Sequence, residues 1–235
     1  MTRLALYFAP AEGSAWWRFG ARWLGRDPAT GAAVQQPVVA GVAADEFRSL
    51  TEKPRRYGFH ATVKAPFALR AGATREALAA AVERFCAARA AFPVPRLTVA
   101  RLDDFLALVP VARESRVNDL AADCVREFEP FRAPLDAAEL ERRRRGGLSP
   151  RQDRYLEEFG YPFVLSEFRF HLTLTGNLDG AAPQHVAGVR AAAEHAVAAL
   201  ADEALQFDSL ALFEQPERAA PFRLVARFPF RGRAA

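Results

Sequence analysis

The feature that most constrains the fold of this chain is an internal repeat. Residues 57–67 and 168–178 align without a gap, and each segment contains the pattern His-x-Thr. Both segments are rich in aromatic and β-branched residues, which predicts strands. A predicted helix follows each of them (74–91 and 183–200), and then two further predicted strands (97–102 and 105–111, and near 205–213 and 222–230). The order β-α-β-β therefore occurs twice, which predicts two similar lobes related by a pseudo-two-fold axis.

The predicted fold class is α+β, with two pseudo-symmetric β-α-β-β lobes whose antiparallel sheets form a central cleft. The whole chain, 1–235, is expected to be one bilobal domain, with repeats at about 55–112 and 166–231. A helical insertion is expected between them at about 115–160, with breaks at Pro130, Pro134 and Gly146-Gly147. Ahead of the first repeat, a strand is predicted at 3–8 and a helix capped by Ser14 at 14–24.

Each histidine strand is predicted to have one polar and one apolar face, because successive side chains of a strand point in opposite directions. The polar face of the first strand carries His60, Thr62 and Lys64, and that of the second carries Arg169, His171, Thr173 and Thr175. Two core histidines bonded to nearby threonines are the alternative interpretation. That alternative does not explain why both motifs occupy equivalent positions in the repeat.

The paired motifs favour phosphoester chemistry. Breaking a P–O bond needs a base for the attacking water and an acid for the departing oxygen, and imidazole serves both purposes near neutral pH. The hydroxyls of Thr62 and Thr173 are placed to donate to phosphoryl oxygens, and Lys64 or Arg169 would offset the developing charge. These groups suit a small, five-membered cyclic phosphodiester, opened without a metal or cofactor. The sequence does not assign the acid and the base individually.

Two His-x-Thr motifs in a duplicated α+β chain resemble the two-histidine (2H) phosphoesterase superfamily. Its members include RNA 2′,3′-cyclic phosphodiesterases and bacterial 2′-5′ RNA ligases. The longer segments 55–67 and 168–176 resemble one branch of it, an uncharacterised family often encoded beside bacterial phosphonate-degradation genes. The resemblance extends over essentially the whole chain, including the insertion. It implies catalysis by His60 and His171 and a link to phosphonate metabolism.

Other contacts with a substrate are open between two interpretations. Tyr7 could stack on a base or sugar or donate to phosphate, or it could be a packed aromatic. Arg132 could bind phosphate from the insertion, or it could form a salt bridge within a loop. The arginine run at 142–145 is either a solvated helix end or part of a lid that brings positive charge over the substrate.

No metal site is predicted, because no cluster of histidine, cysteine or carboxylate ligands accompanies either motif. His185 and His195 are ten residues apart on a predicted helix rather than the four of a helical zinc pair, which indicates surface residues. Cys86 and Cys124 stand alone and are interpreted as small buried residues.

Composition limits the choice of partners. The net charge of +4 comes almost entirely from arginine, which would attract a small phosphorylated or cyclic-phosphate substrate. No apolar run approaches the ~18 residues of a membrane helix, so no membrane partner is expected and the location is taken as cytoplasmic. RNA is a weaker candidate, because an RNA-end enzyme would show a long basic groove with exposed aromatic platforms. A non-catalytic module that binds a nucleotide or phosphometabolite is the third hypothesis. The oligomeric state is not predicted.

Overall fold

Helices and antiparallel sheets build the fold, as a computed structural model of residues 1–112 and 114–233 shows. In chain order the elements are β1 (Arg3–Phe8), α1 (Ala15–Leu24), α2 (Ala44–Leu50), α3 (Glu52–Arg55), β2 (Ala61–Phe67), α4 (Arg75–Ala87), β3 (Phe92–Pro93), β4 (Leu97–Leu102), β5 (Phe105–Pro110), α5 (Ser115–Glu127), α6 (Ala137–Arg144), α7 (Pro150–Phe159), β6 (Leu172–Thr173), α8 (Pro183–Ala198), β7 (Gln206–Phe207), β8 (Ser209–Gln215) and β9 (Arg223–Pro229). Short 3₁₀ turns at Glu129–Phe131 and Leu165–Glu167 complete the insertion and the approach to β6. The predicted α+β class with antiparallel sheets is confirmed.

The two larger sheets each combine strands from both repeats. One has the order β2-β1-β8-β9 and the other the order β4-β5-β6, while β3 and β7 form a separate pair. The strand that follows His60 therefore lies in a sheet with the second repeat's hairpin. The strand that follows His171 pairs with the first repeat's hairpin, through Ala107 and Leu108. The two repeats have exchanged their β-hairpins, so a lobe in space is not the same set of residues as a repeat in the sequence.

The two histidine strands are shorter than the sequence predicts, and each histidine lies immediately before the first residue of its strand. Before β2, the backbone turns at Gly58, whose φ of 84° is strained for any residue with a side chain. After β6, the amides of Leu174 and Thr175 both donate to the carbonyl of Leu106, which takes the chain out of the regular ladder. The alternating sequence pattern therefore covers residues beyond β2 and β6 that do not pair with a neighbouring strand.

Helix α1 contacts both histidine segments from behind. It begins after Ser14, whose side chain accepts a hydrogen bond from an amide in the first turn, as predicted. Its Gly20 packs so closely on Phe59 that a Cβ atom there would lie 2.2 Å from the phenyl ring. The indole of Trp23 donates a 3.0 Å hydrogen bond to the carbonyl of Leu174, just beyond β6. The helix thus fixes the residue before His60 and the strand after His171 relative to each other.

The remaining helices follow the predicted pattern with adjusted ends. The insertion is helical through α5, α6 and α7, and α4 ends at Ala87, before the predicted end at residue 91. Cys86 and Cys124 are buried free thiols, which confirms that interpretation, and burial raises the pKa of Cys86 to about 11. None of the helices in the described residues has the length and apolar character needed to cross a bilayer.

Candidate active site

Both histidines line one cleft of about 580 Å³ between the two larger sheets. That volume lies within the range of small-molecule sites. The residues that surround the cleft are Arg3, Tyr7, Lys53, Pro54, Tyr57, His60, Thr62, Ala65, Pro66, Asp104, Phe105, Arg142, Arg143, Gly146, Gly147, Leu148, Tyr161, Pro162, Phe163, His171, Thr173, Thr175, Gly176 and Asn177. The structure therefore brings together six of the nine candidate site residues, namely Tyr7, His60, Thr62, His171, Thr173 and Thr175.

The two imidazoles are oriented by equivalent hydrogen bonds to the backbone. Nδ1 of His60 lies 2.9 Å from the carbonyl of Gly58, and Nδ1 of His171 lies 2.8 Å from the carbonyl of Arg169. Each acceptor is two residues upstream of its histidine. Because a carbonyl oxygen can only accept, Nδ1 carries the proton in both rings. Nε2 is therefore the titrating nitrogen of both, a base when the ring is neutral and an acid when it is charged.

His60 is held in its neutral form. Its ring stacks on Tyr7 with 3.8 Å between centroids, and Nε2 lies 3.2 Å from the hydroxyl oxygen of Thr62. Burial lowers the pKa of His60 to about 4, and the nearby His171 contributes to this shift. Burial also lowers the pKa of His171, whose ring packs beside Phe105 at 5.7 Å.

The three threonines have different surroundings. Thr62 and Thr173 are partly exposed and line the cleft beside their histidines. Thr175 is almost completely buried, and its hydroxyl oxygen accepts a 2.9 Å hydrogen bond from the amide of Leu106. Thr175 therefore joins the cleft wall to β5, whereas Thr62 and Thr173 face the cleft, where the hydroxyl of Thr62 contacts Nε2 of His60.

Lys64 does not share a face with His60 and Thr62, contrary to the sequence prediction. In the pairing of β1 with β2, Tyr7 is opposite Thr62 and Leu6 is opposite Lys64, so β2 carries one extra residue there. This bulge reverses the alternation of side chains. The ammonium group of Lys64 is buried on the far side of the sheet, where it donates to the Glu129 carboxylate at 3.0 Å and to the Val125 carbonyl at 3.1 Å. The charge of Lys64 therefore stabilises the contact between β2 and the insertion and does not act on a ligand in the cleft.

Two predicted arginine contacts also lie outside the cleft lining. Arg132 is bound to the carboxylate of Glu129 at 2.7 Å and to the carbonyls of Ala133 and Glu158, which corresponds to the salt-bridge interpretation. Arg169 is exposed, and its carbonyl rather than its guanidinium contacts His171. The strand that would have turned Arg169 toward the cleft begins only at Leu172.

The cleft contains basic and phenolic residues that sequence reasoning missed. Lys53, not Lys64, is the lysine on its wall, and Arg3, Tyr57 and Tyr161 line it as well. Arg3 lies four residues before Tyr7 on the same strand, so the alternation of side chains that places Tyr7 in the cleft wall also places Arg3 on that face. Tyr57 and Tyr161 occupy loops, where no periodic pattern marks a residue as part of a site.

The arginine run 142–145 of the insertion fits both earlier interpretations in part, since some of its residues line the cleft and others do not. Arg142 and Arg143 line the cleft, whereas Arg144 is paired with Asp153 at 2.7 Å on α7. The buried carboxylate of Glu139 contacts the guanidinium groups of Arg142, Arg143 and Arg218 at 2.5, 3.0 and 2.8 Å. The end of α6 therefore forms part of the cleft wall and carries positive charge there.

Histidines outside the motifs lie elsewhere. His195 is exposed on α8, and His185 is partly buried with Nδ1 2.5 Å from a carboxylate oxygen of Glu46. In the part of the chain that the structure describes, no three histidine, cysteine or acidic side chains are grouped as metal ligands would be.

The low pKa of His60 predicts a pH-dependent stability. In the unfolded chain a histidine titrates near 6.5, whereas His60 in the folded protein titrates at about 4. The unfolded state therefore takes up a proton first, and stability is lost as the pH falls between these values. Between about pH 7.5 and pH 5, the wild type should lose roughly 1–2 kcal/mol more than His60→Gln in urea unfolding. His195→Gln is the matched control and should lose as much as the wild type; equal losses in all three proteins would contradict the assignment.

Comparisons with known proteins give one family and a set of curated relatives. Residues 62–223 match the family described as "Protein of unknown function (DUF1045)". The chain is 43% identical over 233 residues to a protein of Janthinobacterium sp. (strain Marseille) named ribose 1,5-bisphosphate phosphokinase PhnN, covering 99% of this chain and 51% of that protein. It is 38% identical over 225 residues to a protein of the same name from Laribacter hongkongensis (strain HLHK9), covering 94% of this chain and 50% of the relative. The chain thus spans about half the length of the curated relatives it matches.

Proposed function

We propose a function from the cleft itself, because the chain belongs to the DUF1045 family, whose description gives no function. The proposal is hydrolysis of a small cyclic phosphodiester by His60 and His171, as in the 2H phosphoesterases that the motifs resemble. The observation that supports it most strongly is the pair of equivalent backbone hydrogen bonds to the two imidazoles. Two imidazoles from equivalent positions of the repeat line one cleft with Nδ1 fixed, which leaves Nε2 of each ring to transfer a proton.

The different surroundings of the two rings support a division of roles. His60, neutral and buried, is the general base: its Nε2 takes a proton from water as the water oxygen attacks phosphorus. His171 is the general acid: it gives its Nε2 proton to the ring oxygen as the P–O bond breaks. A bound phosphate anion favours the charged form of His171 by its opposite charge. The product is a phosphomonoester beside a free hydroxyl, and the two rings return to their starting states by exchanging a proton with solvent.

The phosphoryl oxygens gain charge in this reaction, and several cleft residues are placed to offset it. The hydroxyl of Thr173 lies beside His171 and can donate to a non-bridging oxygen, and the hydroxyl of Thr62 can do so once the attacking water replaces it at Nε2 of His60. Lys53 and Arg143 supply positive charge on the cleft wall. Lys53 takes the role that the sequence had given to Lys64.

The curated relatives connect this chemistry with ribose phosphates. Their name describes a phosphokinase acting on ribose 1,5-bisphosphate, a ribose with two phosphate groups. The 235 residues of this chain contain no Gly-x-x-x-x-Gly-Lys-Ser/Thr loop for cradling a nucleotide triphosphate, since Lys53 follows Glu52 and Lys64 follows Val63. We therefore propose that this chain hydrolyses a phosphorylated sugar, such as a ribose cyclic phosphate from phosphonate metabolism.

An RNA-end activity is the second candidate, and one observation favours it. Phe163 lines the cleft and is 46% exposed, so it could stack on a base. An RNA 2′,3′-cyclic phosphodiesterase or a 2′-5′ ligase-like enzyme would use the same histidines. Such an enzyme should lose activity when Phe163 is replaced by alanine, whereas a sugar-phosphate hydrolase should keep it. A non-catalytic phosphometabolite module would bind without turnover.

Turnover without a metal tests the proposal. A two-metal phosphatase holds its cations with several carboxylates or histidines. The only acidic residue among those that surround the cleft in the described structure is Asp104. Purified protein treated with EDTA should therefore hydrolyse a cyclic phosphodiester, chosen from a panel of sugar and nucleoside cyclic phosphates, at the untreated rate. Activity that disappears on chelation and returns with one particular divalent cation would contradict the proposed chemistry.

A further inference from the structure

We propose that the end of the cleft formed by Arg3, Tyr7, Tyr57 and Tyr161, hereafter the phenolic end, is a second anion subsite. It binds a phosphate group carried by the same substrate as the cyclic phosphodiester. This inference rests on the proposed function, which it extends by naming the substrate class: a cyclic phosphodiester that bears an additional phosphomonoester.

The hydroxyl of Tyr7 is the observation that points to a ligand. Tyr7 is completely buried from solvent, and its hydroxyl has no hydrogen-bond partner within the described residues. Leaving a buried hydroxyl unpaired costs roughly 1–3 kcal/mol, so such groups in native proteins have a reason. The ring is fixed between β2 and β8 by its stack on His60 and its contact with Phe213. The hydroxyl is therefore an oriented donor without an acceptor, in the wall of a cleft.

Arg3 adds a positive charge with a free donor. It lies on the same face of β1 as Tyr7, because β1 pairs regularly with β8 from Arg3 to Tyr7. Nε and one terminal nitrogen of Arg3 donate to the side-chain oxygen of Gln215, whose own amide is held by the Ala220 carbonyl at 2.7 Å. The other terminal nitrogen has no acceptor in the described structure, and no carboxylate there forms a salt bridge with Arg3. The guanidinium is thus held in place while part of its hydrogen-bonding capacity is left over.

Tyr57 and Tyr161 complete a group of donors. The ring of Tyr57 stacks on Phe222 at 5.1 Å, and the guanidinium of Arg3 lies over the same Phe222 ring at 5.5 Å. Tyr161 lines the same cleft as Tyr7 and Tyr57. Phenol hydroxyls and a guanidinium all offer donors, which is the arrangement that a phosphate with its acceptor oxygens requires.

The cleft lining is net positive even though the buried carboxylate of Glu139 pairs with Arg142 and Arg143 behind it. Its lining holds four basic side chains and one carboxylate, namely Arg3, Lys53, Arg142, Arg143 and Asp104. A cyclic phosphodiester carries a single negative charge, whereas a phosphomonoester adds about two near neutral pH. A substrate with both groups matches the cleft better in charge than a substrate with the diester alone.

The phenolic end begins at Tyr7, which stacks on His60, and extends along β1 to Arg3. Tyr7 pairs with Thr62, next to His60, whereas Arg3 pairs with Gln215. The four-residue rise between Tyr7 and Arg3 is about 13 Å at the backbone. The second phosphate therefore lies beside the reacting phosphate in the same cleft and does not replace it.

Binding of sugar phosphates, measured by isothermal titration calorimetry, tests the subsite without turnover. The wild type should bind fructose 1,6-bisphosphate at least tenfold more tightly than fructose 6-phosphate. Arg3→Met and Tyr57→Phe should each reduce that ratio toward one, and Arg190→Met, an exposed arginine of α8 outside the cleft, should leave it unchanged. The double variant His60→Ala/His171→Ala should still bind fructose 6-phosphate through the phenolic end. A ratio near one in the wild type, or loss of monophosphate binding in the double histidine variant, would overturn the subsite.

Turnover separates this inference from the proposed function. Adenosine 2′,3′-cyclic phosphate should be hydrolysed with a kcat/KM at least tenfold higher when it carries a 5′-phosphate, and Tyr57→Phe should remove most of that advantage. Hydrolysis of both compounds at equal kcat/KM would refute the subsite and leave the hydrolase intact. No hydrolysis of any cyclic phosphate, together with tight bisphosphate binding that depends on Arg3, would refute the hydrolase and support the subsite.

Discussion

Replacing either His60 or His171 by alanine is expected to lower kcat on a cyclic phosphodiester by about 10²–10⁴-fold. Each change removes one proton transfer from a reaction that needs both. The double variant should be little worse than either single variant, because the two rings act as one unit. In the wild type the pH–rate profile should be bell-shaped and report the pKa values of the pair.

His195→Ala is the matched control, since it removes an exposed imidazole on α8 outside the cleft. It should leave kcat and KM at wild-type values. Circular dichroism and thermal unfolding of each variant establish that the loss belongs to chemistry. A single variant, His60→Ala or His171→Ala, that retains full activity would remove the acid–base mechanism.

Substituting Gly20 by alanine is expected to cost about 2–3 kcal/mol of stability and to reduce activity at a distance. The added Cβ atom would lie 2.2 Å from the Phe59 ring, which is buried and cannot move without disturbing the core. Phe59 precedes His60, so its displacement also shifts the imidazole. Thermal unfolding should show a midpoint roughly 5–10 °C lower, and kcat should fall together with it.

Gly146→Ala provides the comparison for stability, because a Cβ atom at that position would have no neighbour within 4 Å. It should unfold at the wild-type temperature. The variant Gly20→Ala/Phe59→Leu should recover part of the lost activity, since the smaller side chain makes room for the new methyl group. If Gly20→Ala is as stable and active as the wild type, the proposed bracing of His60 by α1 is wrong.

The repeat made much of the site predictable. Two His-x-Thr motifs at equivalent positions were sufficient to expect His60 and His171 in one cleft, and the structure has both on its lining. The exchange of hairpins was not predictable, because the same two β-α-β-β units could pair within a repeat or across repeats. Which pairing occurs depends on long-range contacts, such as that between β1 and β8, that local patterns do not contain.

The predicted directions of individual side chains were wrong where the backbone departs from an ideal strand. The alternation rule placed Lys64 beside Thr62, and a single extra residue in β2 moved Lys64 to the opposite face. Nothing in the residues 61–67 marks that bulge. The prediction that Arg169 faces the cleft was wrong for a related reason. Strand β6 is only two residues long, and in the described structure Arg169 lies before it and outside any strand.

Strand exchange also sets the order in which the molecule can be built during synthesis. β1 is synthesised well before β8, yet Arg3 pairs with Gln215, 212 residues later. The sheet beside His60 must therefore wait for the last hairpin, while the sheet beside His171 can close as soon as β6 appears. A nascent chain released before β8 would leave β1 with one open edge. A chain without the β8-β9 hairpin would accordingly lack the strand that pairs with β1, which carries the ring stacked on His60.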